Sequence, residues 1–308
     1  MAILTNRIKE RTGFEFVEFF GDVSFHHIRD ATFSSKKREN SYRIVNFESF
    51  FIDTIRPRFE IHSDMEDAVR LLRRLEVDCI SVANNHTLDG DNSILEKFLH
   101  IALACEIDVI GVKSGLPGYV SVRLFRSGAT SNVHEDFVEI VGAIDNESFS
   151  QSPELGQQKA AVNLYSLEDF LNKQSIKTDS HGVILFLHGG LTYDFHQKKL
   201  LKRLQRINAG VLVSHAHVPG FWCEKSNDQF SVTSLGNLVF ANFLENVPAE
   251  TGLWYRNSLI ERISIGFSYR LFDHSRVINV YISRYRPDES GLFNVNIGRF
   301  ASFKKPAK

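Results

Sequence analysis

Two short stretches decide the fold: residues 183–190 read VILFLHGG, and residues 211–217 read VLVSHAH. Each stretch begins with an apolar run typical of a buried strand, and each run leads within a few residues into a histidine. Between them, Leu200, Leu201 and Leu204 follow the spacing of an amphipathic helix. A strand, a helix and a second strand in this order predict an α/β fold with parallel strands.

The same pattern recurs elsewhere in the chain. Further apolar runs lie at 14–20, 42–47, 77–83, 107–112, 119–125, 137–141 and 230–235. Three of these runs also lead into polar residues. Because ligands of open α/β sheets bind outside the carboxyl ends of the strands, we expect these side chains to converge on one patch. The expected group is Asp22, Glu48, Asn85, His86, His188, His215 and His217.

The residue types in this group suit divalent transition metals. Imidazole nitrogens and carboxylate or amide oxygens are the usual ligands of Zn, Mn, Fe and Co. Glu48 has two oxygens and can bridge a pair of ions. Each residue also has a structural alternative: Asp22 and Asn85 are common turn formers, and His188 suits a hydrogen-bonded core. The prediction therefore depends on five strand ends that all carry suitable donors.

Composition sets broad limits on the class of protein. The 308 residues allow one large domain or two small ones, and 43% hydrophobic with 24% charged residues is typical of a globular protein. A net charge of -1 provides no basic field, so nucleic acid is not an expected partner. The three cysteines form no CxxC pair. Without a signal peptide or an apolar run of ~18 residues, the sequence predicts a cytoplasmic protein with no membrane anchor.

Helix-capping residues and the pattern of the remaining strands complete the predicted domain organisation. Helices are predicted after Asp64, after Asp91 or Asn92, and after Ser166. Beyond residue 252, strand patterns follow one another with few helical signals between them, at 259–267, 277–285 and 293–297. We therefore expect a main domain over 1–250 and a β-rich extension over 251–308 that packs on the same domain.

A basic, serine-rich connection precedes and enters the second strand. It is interpreted either as an exposed loop or as a lid over an anionic substrate. Its basic residues are Arg29, Lys36, Lys37, Arg38 and Arg43.

Six motifs resemble, in order, those of the bacterial capsule synthesis protein CapA family, over roughly residues 14–243. They are GDVSF at 21–25, NFES at 46–49, ANNHTLDG at 83–90, LHGG at 187–190, SHAH at 214–217 and SLGNLVF at 234–240. The resemblance implies a four-layer calcineurin-like metallophosphatase α/β sandwich. It also implies a link to capsule or poly-γ-glutamate synthesis.

The resemblance assigns roles residue by residue. One divalent ion would be held by Asp22 and His217, with Glu48 as the bridge. The other would be held by Glu48 together with Asn85, His188 and His215.

Two further residues would take part in catalysis. The resemblance makes His86 a histidine that binds no metal and faces the leaving group. From its spacing, Asp89 would hold His86 or its loop.

The chain also departs from these patterns. Ser24 stands two residues after Asp22, where metallophosphatases usually have a histidine, so whether one or two ions bind stays open. Three functions are compatible with the motifs: a metal-dependent phosphoesterase, an amide hydrolase of γ-glutamyl polymers, and a non-catalytic metal-binding subunit of a capsule synthesis system. In each case the expected partners are an anionic small molecule or polymer, or capsule synthesis proteins.

Overall fold

The fold is seen in a computed structural model. It describes residues 7–25, 28, 30–33, 37–49, 51, 63–87, 89–90, 92–125, 137–149, 163–174, 182–191, 197–205, 207, 209–220, 222–224, 230–239, 263–271, 277–287 and 292–304. Within these residues the chain forms two β-sheets with helices packed against them.

The first sheet has seven strands and is mainly parallel. In spatial order its strands are β1 (Ile8–Thr12), β7 (Ser121–Phe125), β8 (Phe137–Ile144), β9 (Gly182–His188), β10 (Gly210–Ser214), β12 (Phe230–Val232) and β11 (Trp222–Glu224). The pairs β7–β8 and β11–β12, towards its two sides, are antiparallel.

The second sheet has nine strands, with parallel pairing at its centre. In spatial order they are β3 (Asp30–Phe33), β16 (Leu292–Lys304), β15 (Val277–Pro287), β14 (Ile263–Arg270), β2 (Phe16–Val23), β4 (Ser41–Phe47), β5 (Cys79–Ser81) and β6 (Asp108–Ile110). The ninth, β13 (Asn237–Val239), pairs with β2 in parallel.

Five helices lie among the described residues. They are α1 (Met65–Arg74), α2 (Asn92–Ala104), α3 (Asn146–Phe149), α4 (Leu167–Gln174) and α5 (Lys198–Leu204). One apolar cluster joins α1 and α2 to the second sheet, and another joins α4 and α5 to the first sheet. A third lies between the sheets, where the rings of Phe19 and Phe186 are 5.7 Å apart. The predicted four-layer sandwich is therefore confirmed.

The alternation of apolar residues along β9 explains these layers. Ile184 and Phe186 face the second sheet, whereas Leu185 and Leu187 pack under the helices. A strand that is apolar on both faces must be covered on both faces, so the run VILFL specifies a central strand between two layers. β10 shows the same alternation, and its Leu212 faces the second sheet.

The C-terminal strands extend the second sheet. β14 pairs with β2 in antiparallel register, from Phe267 opposite Phe19 to Arg270 opposite Phe16. The strands predicted near 259–267, 277–285 and 293–297 correspond to β14, β15 and β16. The domain boundary proposed at residue 250 lies outside the described residues and stays a prediction.

The lid interpretation of the basic connection is wrong for its described residues. Lys37 forms an ion pair with Asp78, and Arg38 lies over the ring of Phe16 at 3.9 Å from its centroid. The buried Arg43 donates to Glu18 Oε2 over 3.0 Å. These contacts lie at the amino ends of the strands, opposite the carboxyl ends where the lid was expected. Arg29 and Lys36 fall outside the described residues, as does Asp91.

The helices of the described residues were compared with the requirements for crossing a membrane. None of their helices combines the length and the apolar character that spanning a bilayer requires.

Candidate metal centre

The carboxyl ends of the central strands from both sheets meet at one place. From the second sheet, β2 carries Asp22 near its end, and Glu48 directly follows β4. From the first sheet, β9 ends in His188, and the turn after β10 carries His215 and His217. The structure thus brings together five of the residues that the sequence had grouped.

These five residues form two groups that share one member. The ligand atoms of Glu48, His188 and His215 lie within 4.8 Å of one another, and so do those of Asp22, Glu48 and His217. All five side chains are buried. The grouping matches the two ligand sets implied by the family resemblance, with Glu48 common to both.

Asn85 adds a further donor to the first of these groups. Its Oδ1 lies 2.7 Å from Nε2 of His188, and that nitrogen is 3.7 Å from Glu48 Oε1. In this structure Asn85 and His188 are thus hydrogen-bonded, and the amide oxygen and imidazole nitrogen are both donor types that a transition metal accepts.

His86 lies beside the ligand groups with its ring turned towards them. Its Nε2 is 3.9 Å from Glu48 Oε1, and its Nδ1 is 2.7 Å from Asp89 Oδ2. The side chain is 21% exposed, unlike the buried histidines. His86 therefore lies where the centre reaches solvent, and its ring is hydrogen-bonded to Asp89. The catalytic roles themselves stay predictions.

The carboxylates of this centre are buried at an electrostatic cost. Burial, and secondarily the charge of Asp22, raise the pKa of Glu48 well above its ordinary value. Burial raises the pKa of Asp22 to about 6, although hydrogen bonds from Asn46 and the His215 amide oppose the shift. Neither Glu48 oxygen has a hydrogen-bond donor among the described residues. A buried carboxylate in this state lacks compensation that a cation would provide, so the residues fit a metal.

The histidines are in the protonation state that metal binding requires. Burial lowers the pKa of His188 and of His215 well below the ordinary value, and the neighbouring histidines lower both further. Burial lowers the pKa of His217 to about 4. All three rings are therefore neutral at neutral pH, with a nitrogen lone pair available to an ion.

The backbone of the SHAH segment is strained where it presents its histidines. His215 has φ of 99° and His217 has φ of 57°, both in a region that side chains other than glycine rarely adopt. Such residues persist only where their surroundings hold them, and they are common at functional sites. Their rings lie 5.8 Å apart, and each belongs to a different group.

Close backbone packing beside Asp22 helps to fix the site. A Cβ on Gly21 would lie 1.7 Å from the carbonyl oxygen of Gly236, so β2 and the start of β13 meet too closely for any side chain. Ser24, which stands in place of a metallophosphatase histidine, is buried, and its amide donates to Val239 O over 2.8 Å.

The sequence did not reveal that Asn46 contacts two of the candidate ligands. Asn46 was noted only as part of a strand end, yet its amide nitrogen is 2.7 Å from Asp22 Oδ1 and 3.0 Å from His188 Nδ1. It stands two residues before Glu48, and alternate residues of a strand share a face. That spacing was the available signal.

Together the layers and the site define a class: an α/β/β/α sandwich with a histidine and carboxylate centre at the carboxyl ends of its strands. A profile of the family described as Bacterial capsule synthesis protein PGA_cap matches residues 9–242, and the chain belongs to this family. This confirms the resemblance seen in the motifs.

Two solved structures align weakly with this chain and share little sequence with it. One is a hypothetical protein from Thermus thermophilus, with 16% identity and a TM-score of 0.44, covering 94% of this chain and 100% of that one. Another is Vps29 of Chaetomium thermophilum, with 13% identity and a TM-score of 0.30, covering 85% of this chain and 97% of that one. No curated protein matches significantly. The assignment of the fold therefore depends on the strand order and layers described above.

Proposed function

We propose that this protein is a metal-dependent hydrolase of the dinuclear phosphoesterase type, linked to the synthesis of capsule polysaccharide or poly-γ-glutamate. One observation carries the proposal: Glu48 is shared by two buried groups of potential ligands, and neither of its oxygens has a hydrogen-bond donor among the described residues. Membership of the capsule synthesis family supports the biological setting. The donor set accepts Mn, Fe, Zn or Co.

Each residue would have a definite part in holding the ions. Asp22, Glu48 and His217 would hold one divalent ion. Glu48, Asn85, His188 and His215 would hold the other. When bound, such ions polarise the oxygen of the scissile group and lower the pKa of water to about 7.

His86 would act on the leaving group. With Nδ1 held by Asp89, its Nε2 faces the centre from the solvent side. In phosphoester hydrolysis water adds to phosphorus, and the bond to the alcohol oxygen breaks. A proton from Nε2 would neutralise that oxygen, and the proton released by water would restore the pair.

The charge of the loaded centre favours an anionic substrate. Two divalent ions outweigh the two buried carboxylates, so the loaded centre is positive and attracts phosphate or carboxylate groups. A phosphate ester or a polyglutamate chain fits this requirement, and capsule synthesis proteins would be its partners.

The proposal is tested on protein purified without chelator and loaded with Mn, Fe, Zn or Co. We expect hydrolysis of nitrophenyl phosphate esters that EDTA abolishes. His86→Ala should keep its metal by elemental analysis but lose about 10²–10⁴-fold in turnover, the usual share of general acid catalysis. His188→Ala should lose bound metal, whereas His100→Ala, on an exposed side chain of α2, should match the wild type.

Other outcomes contradict parts of the proposal. Equal loss of metal in His86→Ala would reject the role of His86. Hydrolysis of γ-glutamyl peptides in place of phosphate esters would favour the amide hydrolase. Bound metal without hydrolysis of either substrate class would indicate a non-catalytic subunit.

A further inference from the structure

The loop over residues 84–90 lies along the segment that follows β4. At the start of the loop, Asn84 Nδ2 donates to the carbonyl oxygen of Phe47 over 2.8 Å. At its end, Gly90 packs on Phe51 so closely that a Cβ would lie 2.0 Å from the Phe51 carbonyl oxygen. The loop is therefore in contact with this segment at both of its ends.

The side chain of Asn84 uses both ends of its amide group. Its Oδ1 accepts from the backbone amides of His86 over 3.1 Å and of Thr87 over 3.0 Å. These partners, together with Phe47, fix the orientation of the amide, because a backbone N–H only donates and a carbonyl oxygen only accepts. The residue is 1% exposed, so the three hydrogen bonds form away from water.

The peptide group that precedes Glu48 is held from two sides. Its carbonyl oxygen, which belongs to Phe47, accepts from Asn84. Its N–H, which belongs to Glu48, donates to the carbonyl oxygen of Val23 over 3.0 Å. Asn84 therefore joins the backbone beside Glu48 to the backbone of His86. The distance of 3.9 Å between His86 Nε2 and Glu48 Oε1 spans this link.

We propose that Asn84 is a positioning residue that ties Asn85 and His86 to the end of β4. The tie sets where both side chains lie relative to Glu48, which directly follows β4. Asn84 is neither a ligand nor a proton donor in the proposed function, and it acts through the backbone of its neighbours. The inference deepens the proposed function and rests on its assignment of Asn85 as a ligand and of His86 to the leaving group.

Two substitutions at Asn84 separate the shape of the loop from its attachment to β4. Serine keeps a short side-chain oxygen that accepts from nearby backbone amides, though more weakly, and it lacks the amide nitrogen that bonds Phe47. Alanine has neither group. Asn84→Ser should therefore keep part of the loop shape and lose the attachment, whereas Asn84→Ala loses both. Asn172→Ala, at an exposed position of α4, is the matched control.

The first readout is hydrogen exchange at the amides of His86 and Thr87 in EDTA, which needs neither metal nor substrate. In Asn84→Ala both amides should exchange about 10-fold faster, the factor expected from the loss of a hydrogen bond. Asn84→Ser should exchange more slowly than Asn84→Ala, and Asn172→Ala should match the wild type. The amides of β4 should stay protected, which shows that the sheet is intact. Unchanged exchange of His86 and Thr87 in Asn84→Ala would overturn the proposal.

The second readout is affinity for Mn²⁺ and Zn²⁺ by calorimetry, with circular dichroism to confirm folding. Asn84→Ala and Asn84→Ser should both weaken one class of site by about 10–100-fold, because each lacks the bond to Phe47 that places Asn85. In an Asn85→Ala background, Asn84→Ala should cause no further loss, since it acts through Asn85. Additive losses in this double variant would mean that Asn84 supports the fold alone, and would reject the positioning role.

The third readout is turnover of nitrophenyl phosphate at saturating metal. Asn84→Ala should lower kcat by about 10²-fold, the usual effect of misplacing a reacting group by about 1 Å, with a smaller change in KM. In a His86→Ala background the same substitution should leave kcat unchanged, because its effect passes through His86. A further loss of kcat in that background would contradict the link to His86.

The readouts separate this inference from the proposed function. If the wild type binds no ion and hydrolyses no ester, the proposed function fails, while the exchange of the His86 and Thr87 amides still decides whether Asn84 holds the loop. If the wild type binds ions and a folded Asn84→Ala protein matches it in affinity and in kcat, the positioning role is rejected and the proposed function stands.

Discussion

At the scale of one residue, Asp22 shows the electrostatic cost of burying a carboxylate of the candidate metal centre without an ion. Its carboxylate accepts from Asn46 and from the His215 amide, yet burial still raises its pKa to about 6 from an ordinary value of 3.8. Two hydrogen bonds therefore do not replace the water that burial removes. The residue is arranged for a function rather than for stability.

In the metal-free protein, we expect the ionisation of Asp22 to make the free energy of unfolding depend on pH. Below pH 3.8 Asp22 is protonated in both states and costs nothing. As the pH rises from 3.8 to 6, the unfolded chain loses this proton first, so the native state is destabilised progressively, by about 3 kcal/mol once the pH exceeds 6. The Asp22→Asn variant has no carboxyl group at this position, so its free energy of unfolding lacks this dependence on pH. Relative to the wild type, the variant should therefore gain about 1 kcal/mol of unfolding free energy between about pH 5 and pH 8.

The measurement is urea unfolding in EDTA at both pH values. The histidines titrate in both proteins. Beyond the effect of burial, the charge of Asp22 also raises the pKa of Glu48, so its removal eases the ionisation of Glu48 and adds to the expected gain of the variant. Any constant loss from the changed hydrogen bonds at position 22 of the variant cancels in the difference. A difference between the proteins that is the same at both pH values would show that burial does not shift Asp22 in this way.

At the scale of the element, helix caps and apolar strands could be read from the sequence. Asp64 caps α1 by accepting from the amides of Glu66 and Asp67, as its position predicted. The charged edge strand β1, with the run KER at its centre, gave no apolar signal because an edge strand is only partly covered. β13 was missed as well, since its three residues depend on pairing with β2.

The start of α4 allows a prediction at this scale. Ser166 Oγ accepts from the amide of Asp169 over 3.0 Å, and Asp169 Oδ2 accepts in return from the amide of Ser166 over 3.1 Å. This reciprocal cap satisfies amides that would otherwise lack partners. Ser166→Ala should lower the unfolding free energy by about 1 kcal/mol, measured by urea unfolding.

Ser166→Thr is the matched control, because threonine keeps the accepting oxygen. It should stay within a few tenths of a kcal/mol of the wild type, in line with its capping preference. Equal losses in the two variants would mean that packing of Ser166, and not its hydrogen bond, stabilises α4.

At the scale of the whole molecule, the sequence predicted the convergence of the candidate ligands better than their surroundings. The candidate ligands could be recognised because each lies at or after the end of an apolar strand. The contact of Asn46 with His188 could not, since it depends on how the two sheets stack, and the spacing of Asn46 from Glu48 indicated only a shared face of the strand. For the described residues of the basic connection, the lid interpretation was wrong for a related reason: Lys37 and Arg43 have carboxylate partners at the amino ends of the strands.

The candidate ligands are divided between the two sheets, which leads to the last prediction. Their histidines come from the first sheet and their carboxylates from the second, so a bound ion would add a link between layers that apolar contacts such as Phe19 with Phe186 and hydrogen bonds such as Asn46 with His188 already join. An ion at about 100 times its Kd stabilises the native state by about 2.7 kcal/mol. Mn²⁺ or Zn²⁺ should therefore raise the Tm of the wild type and of His100→Ala, but not that of His188→Ala.

Hydrogen exchange shows whether this stabilisation joins the sheets. Because ligands follow or end β2, β4, β9 and β10, the ion should slow amide exchange at the carboxyl ends of strands in both sheets, and EDTA should reverse the effect. Protection confined to β9 and β10 would mean that the ion binds the histidines alone and that Asp22 and Glu48 are not ligands. Since those carboxylates are buried without the ion, binding that leaves them unaffected would also leave their electrostatic cost in place.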